Sequence, residues 1–166
     1  MRAEPRDYTQ KLQVSYEAAR PDMKSGDVVF LRGTSFFAWL VRKVTRSQFA
    51  HVGIVWAISG RVLMIEADPW KGVIVRPLSM SLPGYWAPGF GWNEEAQEKA
   101  LETLGQSYDF IDAIRSGFGK KPEDPSKFEC AEYVATIIQK VKPDFPLLGT
   151  PEELAECMNE KMVAVN

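Results

Sequence analysis

A chain of 166 residues, 45% hydrophobic and 25% charged, has the balance of a single soluble domain, 1–166. A net charge of -2 gives no electrostatic footprint for nucleic acid or an anionic membrane surface. The longest purely apolar run, "FFAWLV", is too short to span a bilayer, and the charged N-terminus "MRAEPRDYTQ" lacks the apolar core of a signal peptide. A cytoplasmic protein is therefore the default expectation.

In chain order, residues 7–19 read as a short helix ending before Pro21, and Asp27 to about Arg32 as a strand after a Ser-Gly turn. "SFFAWLVRKVTRS" has apolar residues at helical spacing, with a basic outer face. "HVGIVWAI" and "RVLMIEA" flank Ser59-Gly60 as a hairpin, and "GVIVRPLS" is a third strand stopped by Pro77. "SLPGYWAPGFGW" reads as a loop. A helix follows, with Asn93 as cap and Gly105 at its stop. A further short helix is expected from Tyr108 to Arg115, then a loop. "SKFECAEYVATIIQKV" is a helix opened by a Ser126–Glu129 capping box and ended by Pro143. "TPEEL" opens the last helix with a second capping box, Thr150 with Glu153. The order predicts an α+β fold in which an antiparallel sheet packs against helices.

His51, the single histidine, stands where a polar stretch becomes an apolar strand. With Ser59-Gly60 as a two-residue turn, paired residue numbers sum to 119. His51 then lies opposite Asp68, with Glu66 as its diagonal neighbour on the same face. A carboxylate there holds one imidazole nitrogen and leaves the other free to act. Asp68 is the second candidate, although Asp before Pro is a common turn residue. A histidine merely satisfied by a carboxylate at a strand end fits the same pattern.

Cys130 falls in the first turn of its predicted helix, where the dipole favours a thiolate and unpaired N–H groups can serve an oxyanion. It also continues the apolar stripe of Tyr133, Val134, Ile137, Ile138 and Val141, so a packed core cysteine is the alternative. Cys157, late in the last helix, reads as packing. Two distant cysteines and one histidine have no zinc-ligand spacing and make no disulfide framework. No phosphate loop is present, so neither a metal nor an organic cofactor is expected. Together Cys130, His51 and Glu66 supply nucleophile, base and orienter, the parts of a cysteine hydrolase.

"SGDVVFLRG…FAHVGIVWAISGRVLMIEA" resembles the core of the NlpC-type cell-wall peptidases. In those the cysteine usually precedes this segment, whereas here "FECAEYV" follows it. That order, with "LGQSYDF" and "GTPEELAE", resembles the circularly permuted branch, the YiiX/YebB-like papain-fold hydrolases, over about residues 23–157. The resemblance implies a permuted papain-like fold and an amide-cleaving thiol hydrolase without cofactor. It implies Cys130 as nucleophile, His51 as base, Glu66 as third member and Tyr108 beside the oxyanion. The expected partner is a small peptide or acyl-amide, a cell-wall peptide or a lipid among the options. The alternatives are a lipid acyltransferase or esterase of the same fold, or a non-catalytic binding domain. The lecithin:retinol acyltransferase-like proteins typically carry an Asn-Cys-Glu-His motif that "FECAEYV" lacks.

Overall fold

Alternating β-branched runs between residues 28 and 77 build the centre of the molecule. The structure is a computed structural model and describes residues 7–35, 38, 39, 42, 43, 47–68, 71–106 and 129–166. Its strands are β1 (Gln13–Val14), β2 (Val28–Leu31), β3 (His51–Ile58), β4 (Arg61–Asp68), β5 (Gly72–Pro77), β6 (Gly84–Ala87) and β7 (Val163–Val165). Among the described residues they form one seven-stranded sheet in the order β1-β7-β6-β2-β3-β4-β5. The helices are α1 (Tyr16–Ala19), α2 (Glu94–Glu102), α3 (Glu129–Ile138) and α4 (Pro151–Met158). The fold is mixed α+β, and the recorded pairings are antiparallel apart from the parallel contact of β1 with β7.

The β3–β4 hairpin has the expected register. Ser59 and Gly60 adopt φ of 50° and 72°, the left-handed pair of a turn whose twist matches the strands, and Ile58 faces Arg61. The sheet is buried on both faces. Val28, Phe30, Val52, Ile54, Ile65 and Ala67 share one core cluster with residues of α2, α3 and α4. The alternate positions Val29, Val55, Val62 and Met64 join Ala19, Met23 and Leu78 in a second cluster. Two-sided burial explains why these strands read as nearly continuous apolar runs.

Caps set the helix starts. Asn93 accepts a bond from Ala96 N at 2.8 Å, and Thr150 with Glu153 forms the expected capping box ahead of Pro151. Helix α3 ends at Ile138, before Pro143, and a turn continues the chain through Val141.

Three assignments change. Residues 7–19 are not one helix: Gln13–Val14 is β1, held beside β7, and only Tyr16–Ala19 is α-helical, capped by Ser15. The supposed loop at "GYWA" is β6, which closes the sheet between β2 and β7. The last residues supply β7, for which no strand was expected. In each case a partner strand remote in sequence decides, and short segments have too little local preference to resist it. Ala38–Trp39 and Arg42–Lys43 are helical, as the spacing predicts. The expected helix from Tyr108 to Arg115, the loop after it and the Ser126 cap lie outside the described residues.

Candidate active site

The segment entering β3 is anchored before it reaches His51. Phe49 is fully buried among Tyr8, Phe30 and Tyr85, with ring centroids 4.9, 5.2 and 5.3 Å away. Glu152, in the first turn of α4, accepts from Ser47 Oγ at 3.0 Å and from Gln48 N at 2.9 Å. Ser47 Oγ accepts from Phe49 N at 2.9 Å. These contacts bring His51 onto β2 opposite Leu31.

The β3–β4 ladder is recorded from Ile58↔Arg61 to Ile54↔Ile65. Past that pair β3 stays with β2 as far as His51, and β4 stays with β5 as far as Asp68. At Gly53 the strands approach closely. A Cβ there would lie 2.6 Å from Met64 Cγ and 3.0 Å from Ile65 O, so any side chain would push β4 away just inside the site.

His51 Nε2 makes a short contact with Glu66 Oε2. The diagonal pairing expected from the hairpin register is therefore present. Glu66 is 1% exposed and the His51 side chain 19%. Cys130, half-buried in the first described turn of α3, lies near enough to the same imidazole to act on its charge. Nε2 faces Glu66, which leaves Nδ1 as the nitrogen a thiol could meet. The ring thus has a carboxylate from β4 in contact and a thiol from α3 nearby.

Electrostatics follow from that arrangement. Burial pulls the His51 pKa down, but the Cys130 sulfur and then the Glu66 carboxylate more than reverse this, raising it from 6.5 to about 10. A ring that binds its proton more tightly when folded adds stability that is fully present below pH 6.5. That stability is lost as pH rises through about 10.

Arg76 is the residue that sequence reasoning missed. Its Nε pairs with Glu66 Oε1, and its Nη2 lies 3.4 Å from Asp68 Oδ2. The signal was available. With Asp68 opposite Gly72, Glu66 faces Ile74, which makes Arg76 its diagonal neighbour. Asp68, the second candidate, accepts from Lys71 N at 2.9 Å in the turn to β5, in keeping with its turn reading.

Cys157 corrects the expectation of packing, because it is exposed. Pro151, Leu154, Ala155 and Met158 form the buried stripe of α4, and Cys157 falls beyond its edge. Partial burial of the sulfur, and then the charges of Glu156 and Glu153, raise its thiol pKa. Tyr108 lies outside the described residues.

The Gly-Asp turn is structural. Asp27, 6% exposed, accepts from Lys24 N at 2.8 Å and from Trp86 Nε1 and Gly89 N at 2.9 Å each. It ties the start of β2 to β6 and the loop after it.

Among the described residues no helix is long and apolar enough to cross a membrane, and no group of three or more His, Cys, Asp or Glu is placed to hold a metal. No family model matches the chain, and no curated protein matches it. Among solved structures it is similar to the metalloprotein YiiX of Escherichia coli O157:H7. The two are 19% identical with a TM-score of 0.52, over 85% of this chain and 88% of that one. Across most of its length, the chain shares the fold of that protein.

Proposed function

We propose that the chain is a single thiol-hydrolase domain of the permuted papain-like kind, cleaving an amide bond through Cys130, His51 and Glu66. The observation that carries this reading is the contact of the His51 imidazole with the buried Glu66 carboxylate, with Cys130 near enough to act on the ring's charge. With the ring pKa raised to about 10, His51 rests as imidazolium near the Cys130 sulfur, and a neighbouring cation favours the thiolate that attack requires.

The thiolate attacks the amide carbon. The oxyanion is stabilised by the backbone N–H of Cys130 and, as the family resemblance implies, by Tyr108. Imidazolium protonates the leaving amine, leaving an acyl-thioester and neutral His51. Neutral His51 then takes a proton from water, hydroxide adds to the thioester, and the acid departs as the thiolate–imidazolium pair re-forms. Glu66 stabilises the imidazolium at both stages.

The similar YiiX protein is described as a metalloprotein. The residues here do not fit a metal at this position. Glu66 Oε1 faces the Arg76 guanidinium and Oε2 faces His51, so the carboxylate already serves two cationic groups. No step runs through a metal.

The test is acyl-enzyme trapping. Activated amides, peptides and lipid esters are offered in parallel, and each cysteine is read by mass spectrometry. An acyl adduct on Cys130 from the amides is expected. Glu66→Gln should keep the fold and lower the acylation rate by about 10- to 100-fold, since an amide stabilises imidazolium less well than a carboxylate. Adducts from lipid esters alone would transfer the chemistry to acyl transfer on lipids. Full activity of Glu66→Gln would remove Glu66 from the triad.

A further inference from the structure

We infer that Arg76 is a positioning residue for the imidazole: by gripping Glu66 Oε1 it turns Oε2 onto His51 Nε2 and so aims Nδ1 at the Cys130 sulfur. The inference rests on the thiol-hydrolase reading and extends it to a member on a third strand.

Three observations carry it. Glu66 is 1% exposed, and a carboxylate removed from water needs its charge compensated and its oxygens engaged. One oxygen meets the ring and the other forms an ion pair with the guanidinium that is not a directional hydrogen bond, so the charge of each partner bears on the orientation the other sees. Arg76 also reaches Asp68 Oδ2 at 3.4 Å through Nη2, so the guanidinium spans two carboxylates two residues apart on one strand. A fork of that reach is particular to arginine, because a lysine ammonium is a single point of charge.

Two mechanisms make opposite forecasts. Among the described residues, the groups that act on the ring are Cys130 from α3 and Glu66 from β4, with Arg76 of β5 behind Glu66. As no more than a nearby cation, Arg76 would disfavour the imidazolium, and its removal would raise the ring's titration midpoint. As the holder of Glu66, its removal costs the imidazolium its carboxylate, and the midpoint falls.

His51 is the only histidine in the chain, so its ring signals in a 15N-correlated NMR titration belong to one residue. In Arg76→Gln the midpoint should fall by about 1–3 pH units, the range associated with losing an opposite charge. Glu66→Gln should lower it comparably, and the double variant should fall no further than Glu66→Gln alone, because the two act through one contact. Arg76→Lys should restore part of the shift. An unchanged or raised midpoint in Arg76→Gln overturns the inference. If Arg76→Gln does not fold, Arg76→Lys decides: a smaller downward shift supports the inference, and a curve superimposable on the wild type overturns it.

A companion measurement separates this result from the functional reading. If His51→Ala slows iodoacetamide alkylation of Cys130 while Arg76 variants leave the midpoint unmoved, only the Arg76 inference falls. If the midpoint moves as expected but His51→Ala does not affect Cys130, the thiol–histidine mechanism falls and the grip of Arg76 on Glu66 stands.

Discussion

At pH 6, iodoacetamide should label Cys130 on the order of 10²-fold faster than Cys157, and His51→Ala should remove most of that advantage. The thiolate is the nucleophile. A thiol whose pKa lies above the ordinary 9.0, as that of Cys157 does, has fewer than about one molecule in a thousand ionised at pH 6. In the proposed mechanism an imidazolium near Cys130 favours its thiolate. Part of any gain in thiolate population is returned, because a stabilised thiolate is intrinsically less nucleophilic. Cys130 is only half-buried, and iodoacetamide is small enough for a partly closed groove. Mass spectrometry of both sites in one sample makes Cys157 the internal control. Slow and equal labelling of the two, indifferent to His51, would return Cys130 to the role of a packed core cysteine.

Asp27→Ala should cost about 3–5 kcal/mol without touching the thiol or the histidine. The substitution removes the acceptor of three donors, Lys24 N, Trp86 Nε1 and Gly89 N, around a side chain that is 6% exposed. Each buried donor left unpaired costs about 1–3 kcal/mol, and water entering the space recovers some of that. The loss is a large share of the roughly 5–15 kcal/mol that holds a domain together, and it should lower the melting temperature by on the order of 10 °C. Asp27→Asn keeps one acceptor oxygen and should lose less. Urea unfolding with the His51 titration recorded alongside checks both halves. A loss below about 1 kcal/mol, or a shifted histidine midpoint, would contradict a purely structural role for Asp27.

The contact at the centre of the site was legible because it needs only local information. Ser59-Gly60 is short enough to set the hairpin register, and the register places Glu66 beside His51. The capping box at Thr150 and Glu153 is equally local. What was not legible depends on distant partners. "GYWA" sits between prolines and becomes a strand because β2 and β7 offer it two ladders. Gln13–Val14 leaves its helical reading for a parallel partner at the other end of the chain. Arg76 required the register of a second hairpin, through Asp68 and Gly72, in addition to the first. The approach of Cys130 on α3 to His51 on β3 is not encoded in sequence spacing; it was an expectation of the family resemblance and belongs to the proposed mechanism.

The most direct test of the account is the protonation of the one histidine. A 15N-correlated NMR titration of the folded wild-type protein should show His51 as imidazolium through pH 8, with its midpoint near 10. Cys130→Ala should move that midpoint down, because it removes the sulfur that acts most strongly in holding the proton on the ring. A wild-type midpoint at or below about 6.5, unmoved by Cys130→Ala, would show a neutral ring at physiological pH and no ion pair with the thiol, and it would contradict the mechanism at its first step.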